Sequence, residues 1–585
     1  MRLEGLALIG NCQISALVEM SGAIVWCCMP RFDSEPIFSS LVDAEHGGRF
    51  EVSAADGGRG QQSYVENTNV LETKFEGPEG SFRILDFAPR FMIHGRMFRP
   101  KQIFRILEPL TGLPRIRIRC MPTLGWSGEP ATGLEGSNHI GFEGFAGPLR
   151  LTTDVPLSYF GGEPIPLTGR RHLALTWGAP LEEPLQQVSE RFLVETVRYW
   201  QRWVKHSNVP PQYQREVIRS ALALKLHCFE DTGAIVASMT AGLRDHPDAE
   251  PTADDRYCWL QDASGVLDAF RLLGHFEERE HFVEYLLGVA ANAQDFRLAP
   301  FYQVDARPPA EHGSWMDEQD PSAGSVACAD ASLGGGTGAP LLGELVLALT
   351  PGFLDCRFSG EASSATRTLI ERLAREAIRA FGSPAHRGPC ACPGGVDTFS
   401  SFMSWVAADR MARIALHDAP WLHKEFATAA AQIRREIVDR AWSPDLGAFS
   451  SRFDGSDLDP ALLRMAALRF LPHDDPRLRS TIDAIRKLLG DEPFGGLLDR
   501  CSIGRRLPSV PGAFRLVEAL AVTARVEEAK AALLRAYVAF SPLGLLAEAY
   551  DVPNRRMGGN FPLARSHVEF IRAAFAAADS WADLV

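Results

Sequence analysis

Two periods divide the chain. From residue 1 to about 180 apolar and polar side chains alternate, or nearly so, in short runs such as Phe82-Arg-Ile-Leu-Asp86, Ile103-Phe-Arg-Ile-Leu107 and Arg115-Ile-Arg-Ile-Arg119. A period of two sends successive side chains to opposite faces of an extended strand, and Gly and Pro break the runs at short intervals. Antiparallel strands forming a sandwich are therefore expected. From Glu183 to His206 the period becomes helical, with Val188, Phe192, Tyr199, Trp200 and Trp203 on one face. Beyond Pro210 nearly everything reads as helix with short Gly/Pro breaks. Amphipathic segments run over 213–229, 402–416, 426–441, 514–523 and 567–576, and an apolar run over 266–273. Roughly 375 residues of paired helices without a fixed-period repeat predict a helical toroid or solenoid. The expected organisation is a β-sandwich over 1–182, a helix within 183–209 that either links two domains or opens the second core, and a helical domain over 210–585.

One long stretch, Leu298 to Pro340, carries Pro308, Pro309 and Pro321 and the cluster Gly334-Gly335-Gly336-Thr337-Gly338. A connection of this length in a compact domain is usually functional, and a wall or lid over a pocket is expected. The glycines lack a following Lys-Ser/Thr, which excludes a phosphate loop.

Composition narrows the function classes. At 585 residues the chain exceeds one core, and 46% hydrophobic with 23% charged residues is ordinary for a globular protein. The formal net charge of −13 argues against nucleic acid and anionic membranes as partners. Met1 to Met20 is interrupted by Gly10, Asn11 and Gln13 and reads as neither signal peptide nor membrane span. Eleven cysteines, an odd number, do not make a complete disulfide framework. Cys27-Cys28 and Cys390-Ala391-Cys392 lack the spacing and histidines of a metal site. The expectation is a cytoplasmic protein acting on a small molecule, with no metal or cofactor; a homo-oligomer is left open.

Candidate chemistry starts at Asp254-Asp255-Arg256-Tyr257-Cys258-Trp259-Leu260-Gln261-Asp262-Ala263, which leads into the apolar run from Val266. Charges at the mouth of a buried helix are costly unless they bind something or one another, and a salt-bridged helix start is the plain reading. The block also resembles the sugar-pocket signature of glycoside hydrolase family 15, the glucoamylase and bacterial trehalase group, which reads Trp-Asp-Tyr-Arg-Tyr-Cys-Trp-Leu-Arg-Asp. Asp254, Arg256 to Leu260 and Asp262 match; Ala253, Asp255 and Gln261 do not. Two further stretches resemble the family: the opening through Pro30-Arg31-Phe32-Asp33-Ser34, and Leu545-Leu546-Ala547-Glu548-Ala549-Tyr550-Asp551 followed by Gly559-Asn560-Phe561-Pro562 and Ser566-His567.

The resemblance implies an N-terminal β-domain, a linker helix and an (α/α)6 barrel with its pocket at one end. It also implies inverting glycoside hydrolysis by two carboxyl groups roughly 6.5–9.5 Å apart. Glu548 falls on the base. The acid's place, ahead of the helix-like Thr398–Arg410, reads Gly388-Pro389-Cys390-Ala391-Cys392-Pro393-Gly394-Gly395 and holds no carboxylate. Asp397 is the nearest substitute, and equally a helix cap. The implied binding set is Arg256, Tyr257, Trp259, Gln261, Asp262, Arg506 and His567, with a helix-start role the plainer one for His567. Gln261 puts a neutral amide where the signature has a guanidinium, and Arg506 stands near where the family has a glutamate. Three functions follow: a carbohydrate-active enzyme with an altered proton donor, a repurposed cyclase, dehydratase or isomerase, or a catalytically silent sugar-binding protein.

Overall fold

The computed structural model describes residues 2–244, 252–293, 297–308, 338–358, 363–383, 395–489 and 508–581. The alternating N-terminal segments pair into two antiparallel sheets. One runs in the order Leu6–Gly10, Ser15–Glu19, Ile24–Cys28, Arg49–Ala54, Arg115–Met121, Ile165–Pro166, with Pro36–Phe38 on Ile24–Cys28. The other runs Thr132–Glu135, His139–Glu143, Leu149–Thr153, Arg171–Trp177, Gln102–Gly112, Gly80–Phe87, Leu71–Gly77, Gln61–Tyr64. Their facing side chains, Phe38, Phe50 and Val52 against Phe75, Phe82 and Leu151 among others, form one core.

Helix α1 (Leu185–Lys205) belongs to two cores. Val188 and Phe192 cover Phe87, Phe104 and Ile106 on the outer face of the larger sheet, while Trp200 and Val204 join the apolar cluster of the helical part. The chain then forms α2 (Gln214–His227), α3 (Leu260–Leu273), α4 (Glu277–Asn292), α5 (Ala339–Leu349), the single turn α6 (Pro351–Leu354), α7 (Ser364–Arg379), α8 (Thr398–Asp418) and α9 (Pro420–Ala441). It continues through α10 (Arg464–Ala467), α11 (Pro476–Leu489), α12 (Val510–Val522), α13 (Val526–Ala536) and α14 (Ala564–Ala577). Neighbour relations close a ring. Helix α3 packs on α5, α5 on α8, α8 on the turn Pro460–Leu463 that leads into α10, α10 on α12, α12 on α14, and α14 back on α3. Helices α2, α7, α9, α11 and α13 pack outside it. This is the toroid of paired helices that the 3.6-residue period predicts.

One detail corrects the sequence reading. The stretch from Leu298 is not wholly irregular: Phe301–Tyr302 pairs with Cys258–Trp259, with the Phe301 and Trp259 rings tilted against each other. Residues 309–337, including most of the glycine cluster, lie outside the described residues, as do Pro389, Cys390 to Cys392 and Arg506. Among the described residues no helix is long and apolar enough to cross a membrane.

The β-domain docks onto the ring beside the first motif. Trp26 Nε1 donates to the Met239 carbonyl at 2.7 Å. A buried chain of charges, Arg90–Glu230–Lys225–Glu278, crosses the same junction at 2.6, 2.5 and 2.7 Å.

Candidate functional site

The N-terminal ends of α3, α12 and α14 meet, and backbone bonds fasten the loops that precede them. Ala564 N–H donates to Ala237 O (2.8 Å), Ala237 N–H to Tyr257 O (3.3 Å), Leu563 N–H to Leu546 O (3.0 Å) and Val510 N–H to Glu548 O (3.0 Å). The first motif and the last therefore form one wall, although nearly 300 residues separate them in sequence.

Within that wall Arg256 is a structural strut. Its Nε and Nη2 bind the Asp254 carboxylate at 2.9 and 2.6 Å, and Nη1 donates to the Ser34 carbonyl of the β-domain at 2.7 Å. The side chain is almost fully buried, so its guanidinium serves this pair and the docking loop, not a ligand. Tyr257 is also buried, with its ring 5.5 Å from Phe301. Trp259 is half-buried, lies tilted against Phe301 with ring centroids 4.6 Å apart and donates Nε1 to Asp254 O at 3.2 Å. Gln261 is half-buried, and its amide makes no side-chain hydrogen bond among the described residues.

Asp262, in the first turn of α3, accepts from Arg565 in the first turn of α14. Arg565 Nε and Nη2 both reach Oδ1, at 2.7 and 2.6 Å. Asp262 Oδ2 is left without a protein donor among the described residues. Sequence reasoning missed Arg565, which occupies the Phe position of the family's Phe-Ser-His ending. Its signal was there, a cation replacing an aromatic in the first turn of a helix.

Glu548 ends the approach to a short hairpin, Ala549–Asp551 paired with Arg556–Gly558, and faces Gly559 across it. Gly559 has φ +78°, and a Cβ there would lie 2.6 Å from Glu548 Oε2. Glycine is required both for the turn and for the room the carboxylate occupies. Asn560, fully buried, ties this corner to the first motif: Nδ2 donates to Ala253 O and Asp255 Oδ2, each at 2.8 Å. Ser566 Oγ donates to Ala547 O at 2.7 Å.

Two expected residues have other duties. Asp397 is buried and caps α8, accepting from Ser400 N–H at 2.6 Å. His567 has no exposed surface: its Nδ1 pairs with Ser220 Oγ at 2.9 Å, and Leu546 N–H donates to Nε2 at 3.3 Å. Burial first, then His227 and Arg219, holds the imidazole well below its ordinary range. A neutral ring enclosed on both nitrogens locks the loop before Glu548 and offers no face to substrate, which corrects its place in the binding set. Arg506 lies outside the described residues.

Further along α3, α12 and α14, charged side chains pair between the helices. Arg572 binds Asp268 at 2.8 Å, and Arg515 binds Glu569 at 2.9 Å. Burial among these groups pushes Glu518 up to about 7.

Comparison with known proteins agrees with this architecture. A family model described as Trehalase-like, N-terminal, matches residues 1–120. Over 97% of this chain and 92% of its own length, a trehalase of Thermoplasma volcanium is 27% identical; for one of Mycobacterium tuberculosis the figures are 97%, 88% and 26%. The crystal structure of a bacterial glucoamylase complexed with acarbose superposes with a TM-score of 0.66 at 12% identity, covering 99% of this chain and 94% of that one. The chain is glycoside hydrolase family 15-like. Its likeness to that glucoamylase is one of fold.

Proposed function

We propose that the protein is a carbohydrate-active enzyme of the glucoamylase/trehalase type, acting on a small glycoside with Glu548 as base and an altered proton donor. The observation that carries this reading is the junction of motifs: Asn560 binds Asp255 while Gly559 makes room for the Glu548 carboxylate. Whole-length similarity to proteins named trehalases supports a glycoside as substrate. Trp259, Gln261, Asp262 and Arg565 offer an aromatic face, a neutral amide and a carboxylate–guanidinium pair, a set suited to sugar hydroxyls.

The donor side is where the chemistry departs. In the order of the ring α8 stands opposite α14, and two carboxyls flanking a glycosidic bond would put the acid in the segment ahead of α8 in sequence if Glu548 is the base. That segment has no carboxylate from 388 to 395, and the Asp397 carboxylate caps the helix. Lost general-acid catalysis costs about 10²–10⁴ in rate, most for a poor leaving group. From glucosyl fluoride the leaving group is fluoride ion, which departs without needing a proton from a general acid.

Incubation with α-glucosyl fluoride, trehalose, maltose and isomaltose, followed by NMR, tests this. Turnover of the fluoride is expected to exceed that of the disaccharides by about 10² or more, with glucose of inverted configuration formed first. Glu548→Gln is expected to abolish it, and unchanged turnover in that variant would overturn the assignment. The missing donor also favours a second reading, a cyclase, dehydratase or isomerase that uses the same base; tight sugar binding without glucose release would point away from hydrolysis.

A further inference from the structure

The hairpin that follows Glu548 is too short to hold itself, since an isolated two-stranded ribbon is marginal in water. Its first strand is fastened from one side. Ser509 bridges Ala549, Tyr550 N–H donates to Pro508 O at 3.2 Å, and Val510 N–H donates to the Glu548 carbonyl. The second strand, Arg556–Gly558, is fastened from the β-domain: the N–H of Met557, opposite Tyr550 in the register, donates to Glu4 Oε1 in a short hydrogen bond.

Glu4 is presented from the edge of the β-domain. It sits in a single 3-10 turn, Leu3–Gly5, directly ahead of the first strand of the sandwich, and the neighbouring Leu3 is buried in the apolar cluster of the helical ring. Glu4 Oε2 is buried and has no hydrogen-bond partner among the described residues. Leaving a carboxylate oxygen unsatisfied is expensive. A residue needed only to fill this corner would have no reason to carry the charge. The carboxylate also lies close enough to Tyr550 to act on its phenol, which burial first and Glu4 second push upward.

We propose that Glu4 is a positioning residue for the base: the N-terminal β-domain sets the hairpin that aims Glu548, so one edge of the site is built by a domain outside the helical ring. This rests on Glu548 being the base, and the test separates the two.

Three variants of the full chain are compared, Glu4→Ala, Glu4→Gln and Glu548→Gln, by hydrogen exchange and by α-glucosyl fluoride turnover. Glu4→Ala is expected to speed exchange in residues 549–558 while the start of α3 stays protected. It should lower kcat about tenfold or more at near-constant KM, because small misplacements of a reacting group are costly. Glu4→Gln keeps an acceptor for Met557 N–H and is expected to restore most of both. Unchanged exchange at 549–558, a uniform rise across the ring, or local loosening with an unchanged kcat would each overturn the proposal. Activity that survives Glu548→Gln would instead overturn the base assignment, whatever Glu4 does.

Discussion

Asp397 shows how partners decide what a carboxylate does. The sequence offers it two duties, substitute acid or helix cap, because both need an aspartate just ahead of Thr398. The bond from Ser400 N–H and the burial of the side chain select the cap. Asn caps nearly as well as Asp, whereas Ala costs about 1 kcal/mol. Asp397→Asn is accordingly expected to keep wild-type stability and turnover, and Asp397→Ala to melt a few degrees lower, as read by thermal denaturation beside the fluoride assay. A loss of about 10²–10⁴ in rate in Asp397→Asn would make it the acid instead. The same limit governs His567 and Arg256. Their positions are legible from motif order, but their partners Ser220 and Ser34 lie far off in the chain, and only the fold brings them up.

At the scale of elements, the pair across α3 and α14 is governed by helix ends. A helix N-terminus carries partial positive charge and favours an anion in its first turn, so Asp262 suits α3 while Arg565 is misplaced in α14 unless an acid compensates it. Asp262 is that acid, and the contact joins two neighbouring helices of the ring. The guanidinium absent at Gln261 thus re-enters the same corner from another helix. Charge-assisted bonds are worth roughly 1.5–3 kcal/mol, so Arg565→Gln is expected to raise KM about ten- to hundredfold with a small change in melting temperature. Adding Gln261→Arg to that variant should recover much of the loss; a KM that stays at the wild-type value in Arg565→Gln would show the pair to be structural only. Element types were largely legible because periodicity is local, as in α8 and α9. The pairing of Phe301–Tyr302 with Cys258–Trp259 was not, since two residues carry no period.

At the scale of the molecule, the order of a sandwich, a bridging helix and a ring of helices was readable from where the period changes. The charges that seal the domain junction were not, because they come from three separated segments. Burial opposes ionisation of Glu230, but Lys225 and Arg90 outweigh it and hold the carboxyl well below its usual range. A carboxyl depressed on folding adds stability above its unfolded value, near 4.3, and that stability is lost as pH falls toward the folded value. Glu230→Gln, leaving Arg90 and Lys225 short of a counter-charge, is expected to cost about 3–5 kcal/mol at neutral pH. Melting curves of the two proteins should converge below about pH 4, and a constant gap down to pH 3 would reject the junction as its source.

Helix α1 has a consequence for how the protein comes apart. Its early turns belong to the sandwich and its late turns to the ring, and Leu8 and Trp26 of the sandwich share an apolar cluster with α2 and α3. The sandwich keeps a core between its sheets, but each half also covers an apolar face of the other. Heat or denaturant therefore meets a single cooperative body, and a cut between the halves would leave two incomplete pieces in place of two smaller proteins.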